Sequence, residues 1–373
     1  MKQNFAKYNF VPMVDSIDND VIRLGIDLTA RYAENKSKTL TTVEQDDYNE
    51  LNKTYYEALA KRSIEHAGYT YTSIDMLKNP QITQSLRFRE HFDAVIAQVM
   101  TPVAPAVVSQ EFQNVAEVKQ IGYGDTGVFR VKSNDLFRVN DIAEGVQRGA
   151  MQRLYNNEFT VNPTSKQINF GVDWYYMAAG LVDMGDWAYR AGASFGGYIN
   201  ANIISALNTI VTTGCAASSA YFAYGFSDKN FIKVAQLVSV ANAGAEVYAM
   251  GSLATLGVIF PSTTGLQYSL GMEIAKEGFL DKYKGIRIVP IQPAVVPGTV
   301  NSTSPTLIVP DGYVYFMGMG TYKPIKVVFE GQNVTVQSIP TETPDKVGGM
   351  AITMKLGVSS VVGSKFGGLL GVA

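Results

Sequence analysis

The chain has 373 residues, 46% of them hydrophobic and 17% charged, with a net charge of −2. That length allows two or three domain-sized cores, and a near-neutral balance without a block of one sign argues against a dedicated nucleic-acid binder built on a basic patch. The charged share is below the roughly 25% usual for soluble domains, which points to surface buried against partners or a membrane.

Residues 1–105 are charge-rich and read as helices in series. The first follows Asp15 or Ser16 and carries Val21, Ile22, Leu28 and Tyr32 on one side. The second begins at a Thr41-Thr42-Val43-Glu44 capping box, sets Tyr48, Leu51, Tyr55 and Leu59 at helical spacing, and stops at Gly68. A third is predicted from about Ile82 to Met100, ending at the TPVAP run. Narrow apolar stripes of this kind fit an arm that lies on another surface, with a small independent helical domain as the alternative. Residues 106–175 change character. VFRVKSNDLFRV and QINFGVDWYYM alternate apolar and polar residues, as half-exposed strands do, and the stretch between them is polar. The pattern predicts an extended hairpin reaching away from the body. Its mixed-sign residues Arg138, Asp141, Glu144, Arg148, Arg153 and Glu158 are candidate intersubunit contacts, because such pairs fix register more than they add affinity.

Residues 184–212 read as one long helix, with Trp187, Ala191, Phe195, Tyr198, Ile199, Ile203 and Leu207 near helical spacing, ending before Gly214. Gly192, Gly196 and Gly197 inside it are expected where other backbone comes close. Residues 228–320 look α/β. Asp228 opens a helix, EVYAMGSLATLGVIFP is an apolar run, IRIVPI is a strand, and GYVYFMGM is a buried strand or turn. Residues 322–358 return to alternation in IKVVFEGQNVTVQSI and GGMAITMKLGVSSVV, which suits long paired strands.

Motifs for chemistry are present only in fragments. Gly122, Gly124 and Gly127 match a dinucleotide fingerprint, but a strand-like stretch follows where a helix N-terminus must meet the phosphates. Gly192, Ser194 and Gly196 match a nucleophile elbow, yet Ser194 falls in a helical pattern, and both histidines, His66 and His91, precede it. Those histidines read as helix-surface residues and make no zinc set with the lone cysteine, Cys215, which reads as a small packing residue in a reducing compartment. The uncharged stretches 191–227 and 247–272 are long enough to span a bilayer, but Asn200, Asn202 and Asn208 interrupt the first and Pro261 the second. No cofactor, metal or membrane partner is implied.

The order of parts resembles that of the major capsid proteins of tailed bacteriophages, which have the Hong Kong 97-like fold. VFRVKSNDLFRV through TVNPTSKQINFGVDWYYMAAG looks like the extended loop, and MGDWAYRAGASFGGYINANIISAL like the spine helix. FIKVAQLVSVANAGAEVYAMGSLATLGVIFP through GIRIVPI and YVYFMGMG looks like the axial domain, and AITMKLGVSSVV like the last peripheral-domain strand. The resemblance implies an α+β chain divided into a helical N-terminal arm (1–105), an extended loop with flanking strands (106–175), a peripheral domain with the spine helix (176–227), an axial domain (228–320) and returning strands of the peripheral domain (321–373). It implies a non-enzymatic subunit that tiles hexamers and pentamers of itself into an icosahedral virion shell, assembled in the bacterial cytoplasm and enclosing double-stranded DNA without sequence-specific binding. A retained arm would make any scaffolding protein a separate partner, beside a portal and decoration or cement proteins. An encapsulin-like compartment is the alternative within the fold. A serine hydrolase using Ser194 is the alternative from another class.

Overall fold

The computed structural model describes residues 18–35, 41–106, 115–131, 139, 157–173, 176, 179, 181–259, 278–291, 294–296, 298–318, 323–339, 347–360 and 366–372. In chain order the helical part holds α1 (Asn19–Asn35), α2 (Thr42–His66), the short α3 (Pro80–Thr83) and α4 (Leu86–Ala106). Strands β1 (Ala116–Ile121), β2 (Gly127–Val131), β3 (Asn157–Val161) and β4 (Thr164–Asp173) follow, then the long helix α5 (Met184–Ala216). Next come β5 (Phe222–Tyr224), α6 (Asp228–Ala241), β6 (Val247–Gly251), α7 (Leu253–Gly257), β7 (Lys282–Tyr283), β8 (Ile286–Pro290) and β9 (Tyr313–Gly318). The chain closes with β10 (Ile325–Ile339), β11 (Val347–Ser360) and β12 (Phe366–Leu370). This mixed α+β chain folds as two compact units, one of residues 1–109, 164–196 and 329–356, the other of residues 110–163, 197–328 and 357–373.

In the first unit the predicted helices form, and their stripes meet one another. At the start of α2, Thr41 accepts from the Glu44 amide, while the Glu44 carboxylate accepts from the Thr41 amide at 2.9 Å. This is the capping box that the sequence predicts. Helices α1, α2 and α4 pack together and bury Ile22, Leu28, Tyr55, Leu59, Phe92 and Ile96, each of them 2% exposed or less. A large apolar side chain buried this way contributes about 1.5–3 kcal/mol, so mutual packing is the favoured use of three narrow stripes. Helix α4 does not stop at TPVAP but continues to Ala106. A proline forfeits one ladder hydrogen bond, and here that loss does not end the helix. Strand β4 pairs antiparallel with β11, in register from Thr164 opposite Leu356 to Asp173 opposite Val347. Strand β10 lies on the other side of β11, and Lys355 reaches across to Glu330 at 3.1 Å.

The second unit centres on a six-stranded sheet of order β5-β12-β9-β6-β8-β7. Phe231, Val234 and Val238 of α6 cover one face, meeting Ala249, Val314, Phe316 and Leu369. The other face meets the end of α5, where the Tyr315 hydroxyl bonds the Asn208 side chain. Both faces are therefore covered, which is why YVYFMG reads as a continuous apolar run instead of an alternating one. Helix α5 runs past its predicted end to Ala216. Gly214 lies inside the helix, and a Cβ there would come 2.2 Å from the Phe222 ring, so glycine lets the last turn seat against β5. Residues 366–370, grouped by sequence with the returning strands, form β12 inside this sheet, parallel to β5 and antiparallel to β9. Cys215 is buried beside the Ala223 carbonyl. Among the described residues no helix is long and apolar enough to cross a membrane.

Candidate functional site: the hairpin and its root

Strands β2 and β3 pair antiparallel from Gly127 opposite Val161 to Val131 opposite Asn157, so residues 132–156 connect their far ends. Of the six predicted contact residues, Arg138, Asp141, Glu144, Arg148 and Arg153 lie outside the described residues. Glu158 lies on β3, directly opposite Arg130, with a 3.0 Å bond from Arg130 Nε to its carboxylate. Both side chains are exposed, at 77% and 59%, so the pair contributes about 0–1 kcal/mol to the isolated chain. Sequence reasoning missed Arg130. The available signal was a cation facing an anion across two alternating strands, GVFRV and NEFTV.

The root of the hairpin is packed. Phe129 and Val161 bury their side chains with Ile121 and Val328, and Phe159 packs against the edge of the cluster. A charge is buried with them. Lys326 is 1% exposed, yet its ammonium pairs with the Glu117 carboxylate and lies 5.4 Å from the Phe129 ring centroid. The Lys119 ammonium lies 5.9 Å from the same ring and donates to the Val128 carbonyl. A buried ammonium is tolerated only when paired, and the carboxylate with the negative face of the ring provides that pairing. Strands β2 and β3 therefore rest on an apolar plug clamped by a buried ion pair.

The fragments of catalytic motifs resolve into structural positions. Gly122 to Gly127 form a turn, with the Asp125 amide donating to the Gly122 carbonyl, and strand β2 follows it. Ser194 sits within α5 and donates to the Arg190 carbonyl at 2.8 Å, the ordinary bond of a helical serine and not the sharp turn of an elbow. His91 differs from its predicted place on a helix surface. It is 6% exposed, held between the Ser63 hydroxyl at 3.1 Å and the Asp18 carboxylate at 3.2 Å. Helices α1, α2 and α4 pack so closely that a polar residue on α4 is enclosed, which a single helical stripe cannot reveal. Ser63, His91 and Asp18 have the composition of a catalytic triad, but Ser63 is 0% exposed, so a substrate has no path to its hydroxyl. No three potential metal-ligating side chains gather among the described residues.

The sequence matches the family model described as "SPbeta prophage-derived putative capsid protein YonB" over residues 19–370. The chain belongs to the YonB capsid-protein family. It is a capsid protein, and its place is the virion shell. No curated protein matches the sequence. Among solved structures the chain is similar to the capsid of an empty GTA particle, at 10% identity and a TM-score of 0.46, over 72% of this chain and 90% of that one. It is similar to the capsid of the cyanophage P-SCSP1u at 12% identity and a TM-score of 0.45, over 69% and 87% of the two chains. A virus-like particle from Pyrococcus furiosus aligns at 15% identity and a TM-score of 0.40, over 74% and 97%.

In this YonB-family protein the start of α5 is fastened to the helical bundle by polar bonds. Asp183 caps the helix, accepting from the Asp186 amide at 3.1 Å, and its carboxylate also accepts from the Tyr48 hydroxyl at 2.6 Å. Tyr32 donates to Asp186, Tyr56 to the Val182 carbonyl, and Asn52 bridges Val182 and Met184. Burial, and then the Asp186 carboxylate, push the Tyr32 hydroxyl up to about 12, so it stays a donor at any ordinary pH. Asp183→Ala removes a cap and leaves the Tyr48 hydroxyl without its partner, an expected loss of about 2–3 kcal/mol. Asp183→Asn keeps an acceptor and should cost less than half as much. Chemical denaturation followed by circular dichroism measures both, and equal losses would show that the cap plays no part.

Proposed function

We propose that this YonB-family protein is the major capsid subunit, which tiles hexamers and pentamers into an icosahedral shell around double-stranded DNA, in a Hong Kong 97-like arrangement. The observation that carries this reading, beside family membership, is the hairpin. Its root is packed and ion-paired, while the sequence between the strands is polar, mixed in sign and poor in large apolar residues. Such a segment gains little by folding on itself and is suited to lie on a neighbouring copy. In this reading Arg138, Asp141, Glu144, Arg148, Arg153 and Glu158 set the register between copies.

The order of parts supports the same arrangement: residues 1–105 as arm, 106–175 as extended loop, 176–227 with the spine helix, 228–320 as axial domain and 321–373 as returning strands. The subunit acts by assembly and not by catalysis, a reading supported by the helical setting of Ser194 and the enclosure of Ser63. Its partners are other copies, a separate scaffolding protein, a portal, and decoration or cement proteins.

Electron microscopy of the purified protein should show closed shells. Particles holding protein cargo and no DNA would support the compartment reading instead. Reversing Arg148 and Arg153 to Glu should lower shell yield or melting temperature, most visibly at low salt, with the circular dichroism of the unassembled chain unchanged. Wild-type yield and melting in that variant would place the contacts elsewhere.

A further inference from the structure

The buried polar cluster at the start of α1 plays no part in the hairpin. Asp18 does two things there. Its backbone carbonyl accepts from the Ile22 amide and so opens α1, and its carboxylate meets His91 Nε2 on α4. The Ser63 hydroxyl on α2 meets His91 Nδ1. The exposed His66, also on α2, stacks on the His91 ring with centroids 4.7 Å apart. Three helices therefore meet at one imidazole, and residues 1–17 join the body at the residue it holds.

We propose that Asp18, His91, Ser63 and His66 form an acid-sensitive latch, which holds the start of α1 against α2 and α4 and loosens it when His91 takes up a proton. In the neutral tautomer that carries its hydrogen on Nε2 the ring satisfies every group, because Nε2–H can donate to the Asp18 carboxylate while Nδ1 accepts from the Ser63 hydroxyl. Protonation forces the Ser63 hydroxyl to turn and places a positive charge in an enclosed site. The groups acting on the ring are Asp18, just before α1, which favours that charge, and His66 and Arg62 from α2, which oppose it. Burial is the largest influence, and with His66 and Arg62 it outweighs Asp18, so the His91 pKa is lowered from 6.5.

The sign follows from linkage. A histidine whose pKa is lower in the folded than in the unfolded chain is protonated more readily by the unfolded chain. The latch therefore contributes fully at neutral pH and weakens as pH falls below 6.5 towards the folded value. Below that value both states are protonated and the loss levels off. This inference goes beyond the proposed function and does not depend on it.

Hydrogen exchange of the full-length protein, compared between pH 7.5 and 5.5 after correction for intrinsic rates, tests the latch. Amides of α1 should lose protection about tenfold, while those of α5 and the six-stranded sheet hold theirs. His91→Gln, which keeps a donor and an acceptor but does not titrate, should remove the pH dependence. His66→Gln should move the onset to higher pH. Unchanged α1 protection in the wild type, or an equal drop in His91→Gln, would overturn the proposal. Should His91→Gln fold poorly, the wild type still decides. The chain has two histidines, so imidazole resonances of labelled protein separate them, and a His91 midpoint at or above 6.5 would also overturn it.

Discussion

Removing residues 366–373 is expected to abolish folding of the six-stranded unit. Strand β12 lies between β5 and β9, so its loss leaves both neighbours with unpaired edges. It also withdraws Phe366, Leu369 and Val372, each 2% exposed or less, from the core beneath α6 and beside α5. At about 1.5–3 kcal/mol for each side chain, plus the lost ladder, the deficit rivals the 5–15 kcal/mol that stabilises a typical domain. Soluble yield, near-ultraviolet circular dichroism and protease resistance should all collapse. A truncated chain that stays soluble and unfolds cooperatively with the wild-type midpoint would show that β5 and β9 can close on each other. Gly368→Val makes the same point more gently, because its Cβ would come 2.5 Å from Val211 and 3.2 Å from the Val314 carbonyl. Overpacking of that kind costs about 1–3 kcal/mol.

The second large effect is expected at the hairpin root. Glu117→Ala leaves the Lys326 ammonium enclosed without its carboxylate, and breaking a buried pair on one side costs about 3–5 kcal/mol. Glu117 itself is 46% exposed, so water recovers part of this and about 2 kcal/mol is the expected loss. Lys326→Met should be milder, since a thioether fills similar space without a charge, and the double variant should recover most of the loss. Denaturation midpoints of the three variants form the test. A Glu117→Ala protein as stable as wild type would mean the ammonium finds water or another acceptor. If the root sets the direction of the hairpin, Glu117→Ala should also lower shell yield more than it lowers helix content.

Local chemistry made much of the fold legible. The capping box at Thr41 and the apolar spacing of α2 and α5 are set within a few turns of chain, and the alternation of β10 and β11 within one strand. The elements that escaped are those decided by distant residues. Strand β12 reads FGGLL, with none of the β-branched residues that announce a strand, because side chains of α5 and α6 fill the space above its glycines. Gly214 reads as a helix end in the sequence, but the glycine answers to the nearby Phe222 ring and the helix runs on to Ala216. A hairpin starting at VFRV was legible, but its second strand was not: β2 pairs with Asn157–Val161, while QINFGVD, expected as the returning strand, forms β4 against β11. Arg130 could be read once GVFRV is set against NEFTV, whereas the Glu117–Lys326 clamp could not, because it joins segments that are far apart in sequence.

The order of strands in the six-stranded sheet has a consequence for synthesis on the ribosome. Strands β5 to β9 are made first, but the slot between β5 and β9 is filled only when residues 366–370 have emerged. Until then the nascent unit has an open seam and an exposed apolar floor. A chain that terminates early therefore cannot complete this unit and has no finished surface to offer a growing shell. Filling the slot between β5 and β9 last ties completion of the unit to translation of its final strand.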